Sequence, residues 1–151
     1  MAAGVTLARD GLDAFRDFMD LTLEREVEAV RGDDVLRIDA AITLRGASRE
    51  FARGVGMAGP FGQGNSEPVF AMPALTVSYA SVVGAHHVRA RLRAGDGVEM
   101  DAICFRALES SLGEALLRGR GQSFHVAARV SLGSFRGNEK LDAQIVDLAP
   151  S

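Results

Sequence analysis

The sequence predicts a mainly β fold, in which a five-stranded barrel follows a lead-in of helix, strand and helix. Two observations predict the barrel. After residue 68, apolar and polar residues alternate in five separate runs, and such alternation is typical of strands with one buried face. A helical segment at 108–118 lies between the third and fourth runs, so the order of elements is β-β-β-α-β-β.

The lead-in is predicted from helical spacing and from capping residues. Residues 10–31 repeat apolar side chains every three or four positions, and Asp10 is placed to cap that helix. Apolar residues at every second position from Leu36 to Leu44 predict a strand with one buried face. Ser48 precedes a short helix that is predicted over residues 49–57.

The barrel strands are predicted at 69–83, 86–94, 98–106, 122–132 and 139–148. Their order, with one helix between the third and the fourth, is that of the OB fold. This fold typically binds oligonucleotides or oligosaccharides on its strands 2 and 3 and on its 1–2 and 4–5 loops. We therefore divide the chain into a helical lead-in at 1–58 and an OB-fold domain at 59–151. Tyr79 alternates with Leu75 and Val77, so it is expected in the core.

Composition restricts the classes of function. The 151 residues carry a net charge of −3, which argues against a freestanding protein that binds nucleic acid tightly but leaves room for a local basic stripe. No apolar run approaches the roughly 18 residues of a membrane span, so no membrane contact is expected. One cysteine excludes an internal disulfide framework and fits a reducing, cytoplasmic location. No nucleophile, nucleotide loop or set of metal ligands is evident, so no catalytic residue, metal or cofactor is expected in this chain.

Residues 84–105 predict a β-hairpin with a basic outer face. Four basic side chains alternate with apolar ones and therefore share one face of the first strand. They are His87, Arg89, Arg91 and Arg93. The turn GDG at 95–97 predicts a three-residue loop with Gly97 at positive φ. The resulting register brings apolar residues opposite one another, with Leu92 facing Met100 and Val88 facing Cys104.

This register separates the basic residues into two kinds. Arg91 and Arg93 lie opposite carboxylates, so their charges are expected to be neutralised locally. Arg89 and His87 have no acid opposite them and lie near Phe105. Two interpretations are open. Either these three residues form a platform for one nucleotide, with charge for a phosphate and a ring for a base, or Phe105 packs beneath the following helix and the stem of Arg89 covers it.

The second hairpin, at 130–148, supplies the 4–5 loop of the predicted barrel. Phe135, Arg136 and Asn138 lie at its tip. An aromatic ring, a cation and an amide on one loop suit the binding of single-stranded nucleic acid. The alternative is that Phe135 packs on its own hairpin.

The loop GPFGQGNSEPVF at 59–70 resembles the segment that opens the C-terminal OB domain of RecJ, a family of bacterial single-stranded-DNA-specific exonucleases. The family pattern is Pro-Phe-Gly-x-Gly-Asn-Pro-Glu-Pro-x-Phe, and Ser66 departs from it where a proline is usual. Later segments resemble family strands in the same order: VVGAHHVRARL, MDAICF and FRGNEKLDAQIVDL. His87 and Arg89 fall on two basic positions of the family, and Phe135 stands where tryptophan is common. The start, MAAGVTL, resembles the end of the family's DHHA1 domain.

The resemblance implies a parent protein that degrades single-stranded DNA from the 5′ end with Mn or Mg. The Asp-rich and Asp-His-His motifs of that activity are absent from the sequence, so whether this chain acts as an enzyme stays open. The chain is expected to be a C-terminal piece that grips the strand, and the partner implied is single-stranded DNA. An alternative is an OB-type interaction module that recruits a DNA-repair partner, such as a single-stranded-DNA-binding protein.

The resemblance also implies a role for the loop at 59–70. Its backbone N–H groups, with Gln63 and Asn65, either meet a phosphate or hold the barrel against the nuclease domains. The remaining interpretation is a rigid linker with neither role, since prolines restrict φ in such a segment.

Overall fold

The structure is a computed structural model that describes residues 4–31, 35–135 and 137–151. It divides into two compact units, one that ends at Leu36 and one that runs from Arg37 to Ser151. The first unit contains a short 3-10 turn at Arg9–Gly11 and the helix α1 at Leu12–Arg31. The helix predicted over residues 10–31 is therefore confirmed from Leu12 onward, whereas Asp10, its predicted cap, lies inside the 3-10 turn. The domain boundary predicted between residues 58 and 59 stays a prediction.

The second unit begins with a much shorter strand than the sequence predicted. β1 comprises only Ala40–Ala41 and pairs in parallel with the start of β2, the strand at Phe70–Val83. The prediction of a strand over residues 36–44 was wrong in its extent. The chain turns away after Thr43, whose Oγ1 accepts a hydrogen bond from the Gly46 amide at 3.0 Å. Such a side-chain turn competes with strand pairing.

A helix follows at the predicted position. α2 spans Arg49–Met57, and the Ser48 Oγ accepts a hydrogen bond from the Phe51 amide at 3.1 Å. That bond satisfies one of the unpaired N–H groups of the first helical turn. The Phe51 ring packs edge-on against Phe70, with ring centroids 5.0 Å apart. The helix is thereby fixed against the first residue of β2.

The remaining elements form a closed five-stranded barrel, as the sequence predicted. The strand order is β2-β3-β4-β6-β5, and β5 also pairs with β2. The β4–β6 pairing is parallel and the other pairings around the barrel are antiparallel. The elements after β2 are β3 at His87–Arg93, β4 at Glu99–Cys104, α3 at Ser111–Arg118, β5 at Ser123–Phe135 and β6 at Asn138–Pro150. The OB-fold order β-β-β-α-β-β is confirmed.

The core fills the barrel with aliphatic side chains and is covered at one end by α3. Leu116 of that helix is fully buried. Gly113 lies in the first turn of α3, where a Cβ atom would stand 1.8 Å from the backbone oxygen of Ala107. Only glycine allows this close approach. The largest buried side chains are Met72, Leu75, Val77, Val88, Leu92, Leu116, Val126, Val130 and Ile145.

β2 changes partner along its length, and it carries a bulge where it does so. Its first half pairs with β5 and its second half with β3, and the register shifts between Val77 and Tyr79. The backbone of Val77 bonds to the turn after α3, since its N–H donates to Gln122 O at 3.0 Å and its C=O accepts from Gly121 N at 2.8 Å. A bulge inserts one residue and so reverses the side to which later residues point.

Candidate nucleic-acid interface

The strands β2, β3 and β4 present one continuous outer face of the barrel. On β3 the alternate residues Val88, Ala90 and Leu92 are fully buried. The intervening side chains therefore point outward. Facing residues of an antiparallel pair share a face, so the register groups the outward residues into four rows, of which Thr76–Arg93–Glu99 lies next to the hairpin turn. We call the other three rows the outer face, and they are Tyr79–Arg91–Asp101, Ser81–Arg89–Ile103 and Val83–His87–Phe105.

The hairpin register predicted from the sequence is confirmed. Leu92 faces Met100 and Val88 faces Cys104. All four of these side chains are buried. Gly97 has a φ of 84°, as the predicted turn requires. The basic residues of β3 consequently lie on the side of the sheet away from the core.

Arg91 is neutralised within the outer face. Its Nε donates to Asp101 Oδ1 at 2.8 Å and its Nη2 donates to Oδ2 at 3.3 Å. The bonds from Arg91 hold the pKa of Asp101 below its usual range, with Lys140 and Arg89 adding smaller electrostatic contributions in the same direction. The same bonds raise the pKa of Arg91. A phosphate near Arg91 would meet this carboxylate as well.

Arg93 differs from the expectation that it too is neutralised by a carboxylate. It faces Glu99 in the register, as predicted. No ion pair joins these two side chains, however, in the part of the chain that the structure describes. Facing positions bring Cβ atoms close but do not fix the ends of long side chains, and an exposed pair gains little by meeting.

Arg89 lies in the middle row of the outer face, with Ser81 on one side and Ile103 on the other. It is exposed, and among the described residues it forms no ion pair. Beside it a small hollow of about 80 Å³ reaches across β4 to Lys140, Asp142 and Ala143 of β6. Arg89 is thus an exposed cation at the centre of the outer face, and Arg93 is a second exposed cation on the same strand.

His87 and Phe105 form a fixed pair at the end of the hairpin. Their rings meet edge to face, with centroids 5.2 Å apart. His87 Nδ1 accepts a hydrogen bond from the Arg106 amide at 3.0 Å, which is possible only when that nitrogen carries no proton. Phe105 is 51% exposed, so it does not pack beneath α3 and the alternative of a covered ring was wrong. The exposed ring is available for stacking.

The loop at 59–70 is held by its own side chains. Asn65 Nδ2 donates to the backbone oxygens of Ala58 and Pro60, at 3.2 and 3.0 Å. Gly62 and Asn65 exchange backbone hydrogen bonds around a two-residue turn in which Gly64 has a φ of 86°. Gln63 is exposed at the tip of this turn. The amide of Asn65 therefore shapes the loop, while contact of Gln63 or Asn65 with nucleic acid stays a prediction.

The tip of the β5–β6 hairpin is described only in its backbone. Phe135 pairs with Asn138, and Gly137 has a φ of 79°. Arg136 lies outside the described residues. The roles predicted for Phe135 and Arg136 in binding stay predictions.

Tyr79 is the residue of the outer face that the sequence misplaced. It was expected in the core but is 53% exposed, opposite Arg91. The cause is the bulge in β2, which interrupts the strict alternation with Leu75 and Val77. The strand predicted at 69–83 is long, and a strand of that length bends where it changes partners. Its length was therefore the signal in the sequence that the alternation could be interrupted.

The described residues contain no group of three or more His, Cys, Asp or Glu side chains that could hold a metal ion. A nuclease site of the kind that uses Mn or Mg needs such a group. The described residues therefore do not fit a nuclease site for Mn or Mg. In the same part of the chain, no helix has the length and apolar character that crossing a membrane requires.

Comparison with known proteins gives one family and a consistent fold. The sequence profile of the RecJ OB domain matches residues 38–147. The crystal structure of RecJ from Thermus thermophilus with Mn2+ matches with a TM-score of 0.56 and 20% identity, over 89% of this chain and 20% of that chain. The structure of the same protein with Mg2+ gives 0.54 and 22%, over 97% and 21%. This chain thus spans about a fifth of the solved chains. No curated protein sequence matches it.

Proposed function

The chain belongs to the RecJ OB domain family, and from this premise we propose that its outer face binds single-stranded DNA. In this proposal the chain grips the strand for a RecJ-like exonuclease that works from the 5′ end, and the cutting is done by a core whose motifs this sequence lacks. The observation that carries the proposal is the arrangement of Arg89 beside the exposed ring of Phe105. A free cation and a stacking surface are the two components of sequence-independent single-strand binding.

The local charges favour Arg89 over Arg91 as a phosphate contact, and Arg93 is likewise exposed and without an ion pair among the described residues. Arg91, one row away, already donates to both oxygens of Asp101. Arg89 forms no such pair among the described residues, and its neighbour Ile103 is uncharged. With Nδ1 accepting the Arg106 amide, His87 presents a hydrogen-bond donor at Nε2.

Salt titration of this chain tests the proposal. Binding of a labelled dT oligonucleotide would be measured by anisotropy at several salt concentrations for the parent chain, Arg89→Ala and the control Arg91→Ala. Each phosphate contact contributes a slope of roughly 0.7 in log K against log salt on single strands. We expect Arg89→Ala to reduce the slope by about one phosphate contact, and Arg91→Ala to reduce it by clearly less than that. Absence of binding, or binding that Arg89→Ala leaves unchanged, contradicts the proposal.

A second candidate function is an OB-type module that recruits a DNA-repair partner, such as a single-stranded-DNA-binding protein. The neutralised Arg91–Asp101 pair and the net charge of −3 favour it, since both weaken attraction to phosphate. Binding to such a partner, with no salt-sensitive binding to the oligonucleotide, would support this candidate instead. Metal-dependent degradation of the labelled strand by the purified chain would contradict both.

A further inference from the structure

We propose that Tyr79 is a second base-stacking platform, and that a single strand crosses the outer face diagonally from Tyr79 on β2, over Arg89 on β3, to Phe105 at the end of β4. This inference rests on the proposed function and adds a path and a contact residue to it. Tyr79 lies outside the two central strands on which OB folds usually bind. It is 53% exposed and Phe105 is 51% exposed, so both rings are open to a base.

The rows of the outer face fix the geometry of this path. Tyr79 belongs to the row of Arg91, and Phe105 packs on His87, two rows further along β3. Strand geometry separates the two positions by roughly 13 Å along the strands and roughly 10 Å across them, or about 16 Å on the diagonal. Arg89 occupies both the middle row and the middle strand. A DNA strand that stacks on the two rings therefore passes over Arg89.

The side chains at the two ends favour this diagonal over the opposite one. The opposite diagonal would run from Val83 over Arg89 to Asp101. It would offer an aliphatic side chain at one end and the Asp101 carboxylate bound by Arg91 at the other, so neither end would supply a ring for stacking. On the proposed diagonal, the rows of Arg89 and Phe105 contain no acidic side chain among the described residues. Asp101 shares a row with Tyr79 but is bound by Arg91, which stands between them.

Stacking on the two rings requires single-stranded rather than duplex nucleic acid. At the duplex rise of about 3.4 Å per nucleotide the diagonal would correspond to about five nucleotides, and to fewer in an unstacked, more extended strand. This agrees with OB-fold sites of roughly 4–16 nucleotides. Bases must leave their stack to lie on the rings, and in a duplex they are paired and cannot do so.

The chain contains one tyrosine and no tryptophan, so its intrinsic fluorescence reports on Tyr79 alone. We expect a dT oligonucleotide to quench this emission in the same salt range in which anisotropy shows binding, after correction for absorption with free tyrosine. Tyr79→Ala should weaken binding at least about fivefold, in keeping with the loss of one stacked base. Tyr79→Phe retains the ring and should bind nearly as the parent does. Thermal unfolding of each variant verifies that the fold is intact.

The outcomes separate this inference from the proposed function. If Arg89→Ala and Phe105→Ala weaken binding while Tyr79→Ala does not and the emission is unchanged, the diagonal path is wrong and the proposed function stands. If none of the three variants changes binding, the proposed function itself fails. If Tyr79→Ala unfolds the chain, Tyr79→Phe and the emission of the parent chain decide: unchanged emission on binding contradicts the inference.

Discussion

Asp101 accepts two hydrogen bonds from Arg91, at 2.8 and 3.3 Å, from the neighbouring strand of the outer face. The pair joins a planar guanidinium to a carboxylate in two-pronged geometry. It withholds one of the arginines of β3 from any anionic ligand. Asp101 therefore lowers the affinity that the same surface would otherwise have for phosphate.

Replacing Asp101 should strengthen binding to single-stranded DNA. In Asp101→Asn, Arg91 regains its attraction for phosphate, and we expect the salt slope to rise by about 0.7. Asp147→Asn is the matched control, because this substitution makes the same change in net charge. Asp147 is an exposed carboxylate of β6 and lies opposite Ala127. Anisotropy titrations of both variants measure the effect. An equal gain in both would show that net charge, and not release of Arg91, is responsible.

The same pair predicts a dependence of stability on pH. Bonding to Arg91 lowers the pKa of Asp101 in the folded chain. The contribution to stability is therefore complete above the ordinary carboxyl pKa of about 3.9 and is lost as the pH falls through the lower folded value. The pair is partly exposed, so Asp101→Asn should reduce the free energy of unfolding by only about 0.2–1 kcal/mol at neutral pH. Urea titrations near neutral pH and near pH ~2 should show this difference shrinking in acid; a constant difference would contradict the assignment.

Gly113 should tolerate no side chain. The Ala107 oxygen that a Cβ would meet at 1.8 Å is itself held by hydrogen bonds from the Ser110 amide and hydroxyl. Gly113→Ala must therefore move backbone, and we expect a loss of about 1–3 kcal/mol or more. Gly54→Ala in α2 is the control, because nothing lies within 4 Å of its Cβ position, and it should stabilise by about 0.5–1 kcal/mol. Denaturant unfolding measures both changes, and similar effects at the two sites would refute the packing of α3.

Cys104 should react slowly with a thiol reagent in the native chain. It is 3% exposed, and burial raises the pKa of its thiol, so both access and the thiolate fraction are low. As the chain has one cysteine, the reaction monitored by absorbance reports this site alone. The same chain in denaturant supplies the control, with fast and complete reaction. Fast reaction under native conditions would place Cys104 outside the barrel.

The β3–β4 hairpin was predictable from the sequence because two local rules agree. The turn at 95–97 and the apolar alternation allow a single register, since a shift by one residue would bury charges. The observed pairs, such as Leu92 with Met100, follow that register. The ion pairs within it were less predictable. Arg91 meets Asp101, whereas no ion pair joins Arg93 and Glu99 among the described residues, since the ends of exposed side chains are governed by small energies.

The position of Tyr79 could not be read from alternation alone. The bulge after Val77 depends on hydrogen bonds to Gly121 and Gln122, which lie more than forty positions later in the chain. Similarly, β1 is short because Thr43 bonds to Gly46 and ends the strand locally. Periodicity predicts which elements exist, while their bends and ends depend on contacts that only the fold brings together.

The barrel is joined unevenly around its circumference. Between β4 and β6 the described residues form the parallel pairs Ala102–Ala143 and Ile103–Gln144, whereas β5 and β6 pair along their whole length. We expect local opening to begin where the ladder is shortest. Separation of β4 from β6 would then move the β3–β4 hairpin, and Arg89 with it, away from β6. A ligand that spans β2 to β4 does not bridge the β4–β6 seam and therefore would not hold it closed.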